Sequence, residues 1–276
     1  MRIFAFADEA DSFIDGQISA MKRNGLDGLE IRGVDGENVS DISANKAKEV
    51  RKKLDDNGLI TWSIGSPIGK IGIKDDFASH MEKMKHTLEI GNVLGVENIR
   101  IFSFYMPKDS DFNDFFGEVT DRLGQLSECA VMAGISPCHE NEKGIFGDNT
   151  ERCLKLYESL PLLQGVFDPA NFVQCGADVA VAWKMLKPYI KYLHIKDALS
   201  DGTVVPAGKG DGRLAEIVKD YIAFGGTAVT VEPHLAVFDG LKELEQSGNI
   251  SNVGGYRYTD NNAAFDAACD AFRGLL

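Results

Sequence analysis

Residues 95–141 read GVENIRIFSFYMPKDSDFNDFFGEVTDRLGQLSECAVMAGISPCHEN. The run from Asn98 to Phe104 is short, apolar and rich in β-branched and aromatic residues, the pattern of a strand buried on both faces. Residues 111–133 then bring apolar groups back at helical spacing, and Gly134 follows as a terminator. A second apolar run, Ser136 to Asn141, begins at once. Strand, helix and strand in succession imply two parallel strands joined by a right-handed crossover.

Working outward, the same unit recurs along the whole chain. Further strands are predicted over 2–7, 28–33, 60–66, 165–171, 190–197 and 227–234, with helices near 12–24, 43–57, 76–94, 150–160, 178–187, 214–224 and 259–274. Asp41 and Ser43 can cap the second helix, Gly58 follows its end, and Gly25 and Gly95 lie just past two others. Eight units in 276 residues spend about 35 residues each, close to what a parallel barrel uses. With no ninth strand and no gap for a boundary, the expected fold is α/β, a single (β/α)8 TIM barrel spanning 1–276, in preference to an open doubly wound sheet.

The charge balance narrows the partners. Lys and Arg number 29 against 42 Asp and Glu, a formal net charge of −13, so a broad basic footprint for nucleic acid or anionic lipid is not expected. The five cysteines form no C-x-x-C pair and read as reduced and mostly buried. The N-terminus is apolar only to Ala7 before Asp8 and Glu9, too short for a signal peptide, and no run approaches a membrane span. A cytoplasmic location follows as the expectation, with no membrane partner.

What ends the last four strands carries the chemistry. Strand five ends in Cys138-His139-Glu140-Asn141-Glu142, strand six in Phe167-Asp168-Pro169, strand seven in His194-Ile195-Lys196-Asp197 and strand eight in Val231-Glu232-Pro233-His234. Singly, each polar residue has an ordinary reading as a turn former, rim charge or core histidine. Glu140, Asp168, His194 and Glu232, however, fall 28, 26 and 38 residues apart, one unit per step. Barrel closure brings such strand ends together on the rim where barrel enzymes place their sites. Three carboxylates and an imidazole around one point require a compensating cation, so one divalent ion, Mn, Mg, Co or Zn, is expected there.

Strand alternation extends the list. Lys196 shares a face with His194, and His234 with Glu232, so both are expected near the substrate, whereas His139 turns outward under a helix. Glu142 becomes a second rim carboxylate. Asp197 reads chiefly as a cap for the following loop, and Glu30 and Arg32 as either a mouth pair or an internal salt bridge. His80 and His86 read as surface residues of the third helix. Gly208-Lys209-Gly210-Asp211-Gly212 matches neither a Walker loop nor a dinucleotide fingerprint and reads as a flexible mouth loop. Lys209 or Arg213 beside it, and Tyr256 and Arg257 in the long connection after strand eight, are candidate substrate contacts. No nucleophile elbow occurs.

The segments Glu140-Asn141, Phe167-Asp168-Pro169, His194-Ile195-Lys196-Asp197 and Val231-Glu232-Pro233 resemble the strand-end motifs of the xylose isomerase-like barrel superfamily of sugar phosphate isomerases and epimerases. The resemblance runs over essentially the whole chain. It implies that Glu140, Asp168, His194 and Glu232 hold one divalent metal and that Glu140 and Glu232 act as acid and base. The implied reaction is isomerisation or epimerisation of a small sugar, sugar phosphate or keto-polyol by proton transfer through a metal-stabilised enediolate. The expected partner is a small-molecule carbohydrate, with the chain a monomer or a homo-oligomer. Three rival readings are a keto-polyol dehydratase on the same scaffold, a non-catalytic sugar-binding protein and a trinuclear apurinic endonuclease. Against the last stand the net charge, the presence of only five histidines, and Asn171 where that pattern has histidine.

Overall fold

A computed structural model of the chain describes residues 1–238, 252–253 and 256–276. Its eight main strands are β1 (Arg2–Ala5), β2 (Gly28–Ile31), β3 (Ile60–Gly65), β4 (Asn98–Ile101), β5 (Ser136–Glu140), β6 (Gln164–Phe167), β7 (Ile190–Ile195) and β8 (Ala228–Val231). They close in the order β1-β8-β7-β6-β5-β4-β3-β2, and every neighbouring pair is parallel. The fold is a (β/α)8 TIM barrel. The described α-helices are α1 (Ile14–Arg23), α2 (Ala44–Asp56), α3 (Phe77–Leu94), α4 (Phe116–Met132), α5 (Thr150–Ser159), α6 (Pro169–Gln174), α7 (Val179–Leu186), α8 (Leu214–Ala223) and α9 (Asn261–Arg273). Among the described residues no helix is long and apolar enough to cross a membrane.

Local chemistry sets the helix ends. The Ser43 side chain accepts the Lys46 N–H and starts α2, while Gly95 ends α3 with φ of 73°, a left-handed conformation that suits glycine. Each strand stops one to four residues before the reading from sequence, because the chain leaves the ladder at the rim and bends into the mouth. The sixth differs most. Its apolar pattern continues to Asn171, but Pro169 has no N–H to donate, and the Asp168 side chain accepts the Asn171 N–H to begin α6.

Two apolar layers hold the barrel. The larger lies between strands and helices, from Leu29, Ile64 and Ile99 on the sheet to Met84, Leu123 and Phe265 on the helices. The smaller fills the lumen with Phe4, Trp62, Cys138, Val166, Tyr192 and Ala228. Phe4 and Trp62 stack with ring centroids 5.1 Å apart, and the Arg2 guanidinium lies 4.6 Å over Trp62, closing the amino end of the barrel. Losing such a buried aromatic costs about 3–5 kcal/mol. With that end plugged, polar side chains gather at the carboxyl end.

The loops after the strands shape that end. After β3 the chain runs across β4, and at Gly69, with φ of 88°, a Cβ would sit 1.9 Å from the Phe102 carbonyl oxygen. Only glycine permits that approach, which delivers Lys70 to the mouth. Gly69 donates its N–H to Nε2 of His80 at 2.8 Å, so His80 is buried, correcting the surface reading. After β7 the chain forms a hairpin, Asp197–Ala198 with Val204–Val205. The long connection after β8 lies largely outside the described residues, at 239–251 and 254–255.

Candidate metal centre

Alternation along β7 puts Tyr192, His194 and Lys196 on the inward face in rising order, from apolar plug to rim. Neighbouring strands supply Cys138 and Glu140 from β5, Val166 and then Asp168 from the end of β6, and Ala228, Thr230 and Glu232 from β8. Glu140, Asp168, His194 and Glu232 thus meet, each offering one donor atom, with those atoms all within 4.8 Å of one another. All four are buried.

The imidazole organises the group. His194 Nδ1 lies 3.1 Å from Glu140 Oε1, 3.3 Å from Glu232 Oε2 and 4.0 Å from Asp168 Oδ2. Its Nε2 faces away, 3.1 Å from Glu30 Oε2 on β2. Lys196 Nζ bridges the upper side, 2.8 Å from Asp168 Oδ2 and 3.1 Å from Glu232 Oε2. Arg100 Nη1 from β4 lies 3.2 Å from Glu140 Oε2. Asn171, on the first turn of α6, donates to Glu140 Oε1 at 3.2 Å and to the Asn141 carbonyl.

Charge is tightly packed here. Burial would raise the Glu140 carboxyl, but the His194 and Arg100 charges outweigh it and lower it to about 2. Burial pushes the Asp168 carboxyl up to about 7 despite Lys196, with Glu232 and Glu140 adding to the rise. Burial works against the charged form of His194, yet the Glu140 and Glu30 carboxylates hold its imidazole well above the ordinary range. Glu140 Oε2 and Asp168 Oδ2 are buried and accept no hydrogen bond, each being met by an ion-pair neighbour, Arg100 and Lys196. Buried carboxylate oxygens that accept no hydrogen bond, beside an imidazole nitrogen, fit a divalent ion with mixed oxygen and nitrogen ligands.

A second group, Glu9, Glu232 and His234, lies on the far side of Glu232. Here the compensating cation is already present. Arg32 lies 3.1 Å from Glu9 Oε1 and 3.6 Å from Glu232 Oε1, and Asp8 holds its Nε at 2.8 Å. His234 Nδ1 is 3.0 Å from Glu9 Oε1, and the backbone at His234 has φ of 43°.

Above these groups opens a narrow polar cleft lined by Arg32, Lys70, Arg100, Glu140, Glu142, Lys143, Asn171, Lys196, Glu232 and His234. Lys196 and His234 therefore reach the mouth. Arg213 and Arg257 do not line it. Arg213 is carried out to the start of α8, where it pairs with Glu216 in solvent, and Arg257 is exposed in the segment leading to α9. Lys209 and Tyr256 are exposed as well. The glycine loop is not a loose flap, because the N–H groups of Gly208, Gly210 and Gly212 all donate to the Asp197 carboxylate. His139 packs outward against Tyr157 and Ser103.

Sequence reasoning left Glu30 and Arg32 undecided and passed over Arg100, Lys70, Lys143 and Glu9. Arg100 had a signal, since an arginine flanked by Ile99 and Ile101 in a buried strand must face the lumen.

No curated protein matches the chain at the sequence level. Among solved structures it is similar to the probable 3-DHS dehydratase AsbF of Bacillus anthracis, at 17% identity and a TM-score of 0.75, with 99% of each chain covered. It is also similar to 3-keto-D-glucoside 4-epimerase, YcjR, from E. coli, at 18% identity and a TM-score of 0.71, covering 100% of this chain and 98% of that one. The IOLI protein with a bound zinc atom matches at 14% identity and a TM-score of 0.74, covering 100% and 98%. At such identities the likeness speaks to fold. The family model described as xylose isomerase-like TIM barrel matches residues 18–244, and with most of the chain inside that match, the protein belongs to the xylose isomerase-like TIM barrel family.

Proposed function

We propose that the protein is a divalent-metal-dependent isomerase or epimerase of a small sugar, sugar phosphate or keto-polyol. The observation that carries this reading is the meeting of Glu140, Asp168, His194 and Glu232 within 4.8 Å at the open end of the barrel. These residues would hold the ion, which when bound supplies Lewis acidity toward adjacent carbonyl and hydroxyl oxygens of a substrate. Family membership supports the reading, as do an epimerase and a zinc-bound protein among the similar structures.

The chain's own groups supply the proton chemistry. Glu140 and Glu232 both stay ionised at neutral pH, the first lowered to about 2 and the second held well below the ordinary range by Lys196 and His234 against its burial. They stand on β5 and β8, flanking the two strands that carry Asp168 and His194. One carboxylate takes the proton from the carbon beside the carbonyl and, now protonated, can return it at the neighbouring carbon; delivery on the opposite face requires the other glutamate to take up a proton from solvent first. Lys196, lining the cleft beside both ligands, is placed to oppose the negative charge that develops on substrate oxygen.

The test is uptake of deuterium from heavy water by ketoses and keto-inositols in the presence of Mn²⁺, followed by proton NMR. Exchange at the carbon beside the carbonyl is expected, and Glu140→Gln and Glu232→Gln should each abolish it. A variant that exchanges at the full rate removes that glutamate from the mechanism. Loss of water in place of exchange would assign the scaffold to dehydration instead.

A further inference from the structure

Three of the four ligand residues are held by groups on neighbouring strands. Asn141 locks the exit of β5 to that of β6, donating to the Asp168 carbonyl and accepting the Asp168 N–H, each at 2.9 Å, so Glu140 and Asp168 keep a fixed spacing. Glu30 holds the His194 imidazole from behind at 3.1 Å. Glu232 follows β8, at the seam where the last strand pairs with the first. The groups that hold it there come from the ends of β1 and β2.

Glu9 ends a single helical turn, Ala7–Glu9, that follows β1, and the residue is buried. A buried carboxylate needs partners, and Glu9 has them on two sides. Its Oε2 accepts the His234 backbone N–H at 2.6 Å. With φ of 43°, His234 lies in the left-handed region that a Cβ disfavours, so the turn after Glu232 and Pro233 persists only where its surroundings hold it. The other oxygen, Oε1, accepts from Arg32 Nη2 at 3.1 Å while Asp8 takes Nε at 2.8 Å, and this grip sets Arg32 Nη1 3.6 Å from Oε1 of Glu232. The Phe238 ring packs on the same group, 4.9 Å from the Arg32 guanidinium and edge-on to the His234 ring at 5.4 Å.

We propose that Glu9 is the positioning residue for Glu232: by tying the left-handed turn at His234 to the Arg32 guanidinium, it keeps Oε1 of Glu232 toward the β1–β2 side and leaves Oε2 for the ion. That second oxygen lies 3.3 Å from His194 Nδ1, inside the group of four ligand residues. Glu9 is not itself a ligand in this arrangement. Arg32 already meets both Glu9 and Glu232, so its positive charge would repel a second ion placed among Glu9, Glu232 and His234. The proposal rests on the reading of Glu140, Asp168, His194 and Glu232 as a metal site and adds the residue that orients one of them.

Calorimetric titration of Mn²⁺ into the metal-stripped protein tests the idea, with urea unfolding run on each variant to establish that it is folded. The unaltered protein should take up one ion. Glu9→Ala should weaken binding about tenfold, and Glu9→Gln, whose amide oxygen still accepts from the His234 N–H, should recover most of that loss. Glu9→Asp keeps the charge but withdraws it by a methylene, so it should weaken binding as well, and it carries the test if Glu9→Ala does not fold. His234→Gly supplies a residue that enters the left-handed turn without help, so Glu9→Ala should cost markedly less affinity in that background. Unchanged affinity in both Glu9→Ala and Glu9→Asp overturns the proposal. So does an equal loss with and without His234→Gly, since Glu9 would then act on something other than the turn. A second ion, bound by the unaltered protein and lost in Glu9→Ala, would make Glu9 a ligand and overturns it too. Failure of the unaltered protein to bind Mn²⁺ at all sinks the metal-site reading itself, and the proposal with it.

Discussion

His194 Nε2 lies 3.1 Å from Oε2 of Glu30, joining β7 to a strand three positions round the barrel. Tyr192 donates its hydroxyl to the other Glu30 oxygen at 2.8 Å, so the carboxylate is held from below while it holds the imidazole. The partner of Nε2 decides the tautomer. With Nε2–H held by Glu30, the Nδ1 proton, facing Glu140, Asp168 and Glu232, is the one an incoming ion would displace to reach a nitrogen lone pair.

That relationship predicts an effect at a distance from the ligands. Glu30→Gln removes the charge that makes His194 a stronger donor, and affinity for Mn²⁺ should fall about 10- to 100-fold. Calorimetric titration of metal into the stripped protein measures it. An unchanged dissociation constant would mean that Glu30 serves packing alone.

Lys196 offers a second test, because the same ammonium neutralises Asp168 and Glu232 when no ion does. Lys196→Met removes the ammonium paired with Asp168 and leaves Glu232 to His194 and Arg32, a loss of about 3–5 kcal/mol in the metal-free protein. Saturating Mn²⁺ supplies the missing charge. Urea unfolding with and without Mn²⁺ should therefore show a much smaller penalty in the loaded variant, and equal penalties would separate Lys196 from the ion site.

How far the site could be read from sequence follows from where its information lies. Glu140, Asp168, His194 and Glu232 each close an apolar run, so a linear pattern marks them. Glu30 carries no such mark. It sits inside Gly28–Ile31, and only closure of the barrel brings it to a histidine 164 residues away. Lys70 was illegible for a different reason, since its position depends on a backbone crossing that Gly69 permits and no periodicity records. Arg213 shows that sequence distance from β7 says nothing of direction: the hairpin after β7 and the α8 start place it at the surface beside Glu216. Strand starts were clear from composition, whereas strand ends were not, because the apolar pattern persists for a few residues after the ladder stops.

The outward-facing His139 predicts a pH response. Burial lowers its imidazole to about 4, from an ordinary value near 6.5. The unfolded chain therefore takes up the proton first, so the stability of the neutral, folded form is present above about pH 6.5 and is lost as pH falls toward 4. By pH 5 the loss is about 2 kcal/mol. Asp168, raised to about 7 by burial, acts in the opposite sense, so the quantity to follow is the difference between wild type and His139→Gln. That difference in unfolding free energy should shrink by about 2 kcal/mol between pH 7 and pH 5. A constant difference would show that His139 titrates normally.

The loop after β7 predicts the last outcome. The Asp197 carboxylate is buried and accepts four backbone N–H groups, from Ala198, Gly208, Gly210 and Gly212, at 2.9–3.0 Å. Those bonds wrap residues 198–212 around one side chain, and bonds to a charged acceptor contribute about 1.5–3 kcal/mol each before the loop's ordering cost. Glycine is required at position 210, where a Cβ would come within 2.4 Å of Asp197 Oδ1 and 2.6 Å of the Ala198 carbonyl oxygen. Asp197→Ala should lower stability by about 3 kcal/mol and open the loop to limited proteolysis between residues 199 and 212. Gly210→Ala should open the same stretch by pushing the carboxylate aside, while Asp197→Asn, which keeps an acceptor of the same shape, should cleave more slowly than either. Cleavage of all three at the wild-type rate would mean the loop is held by something other than this carboxylate.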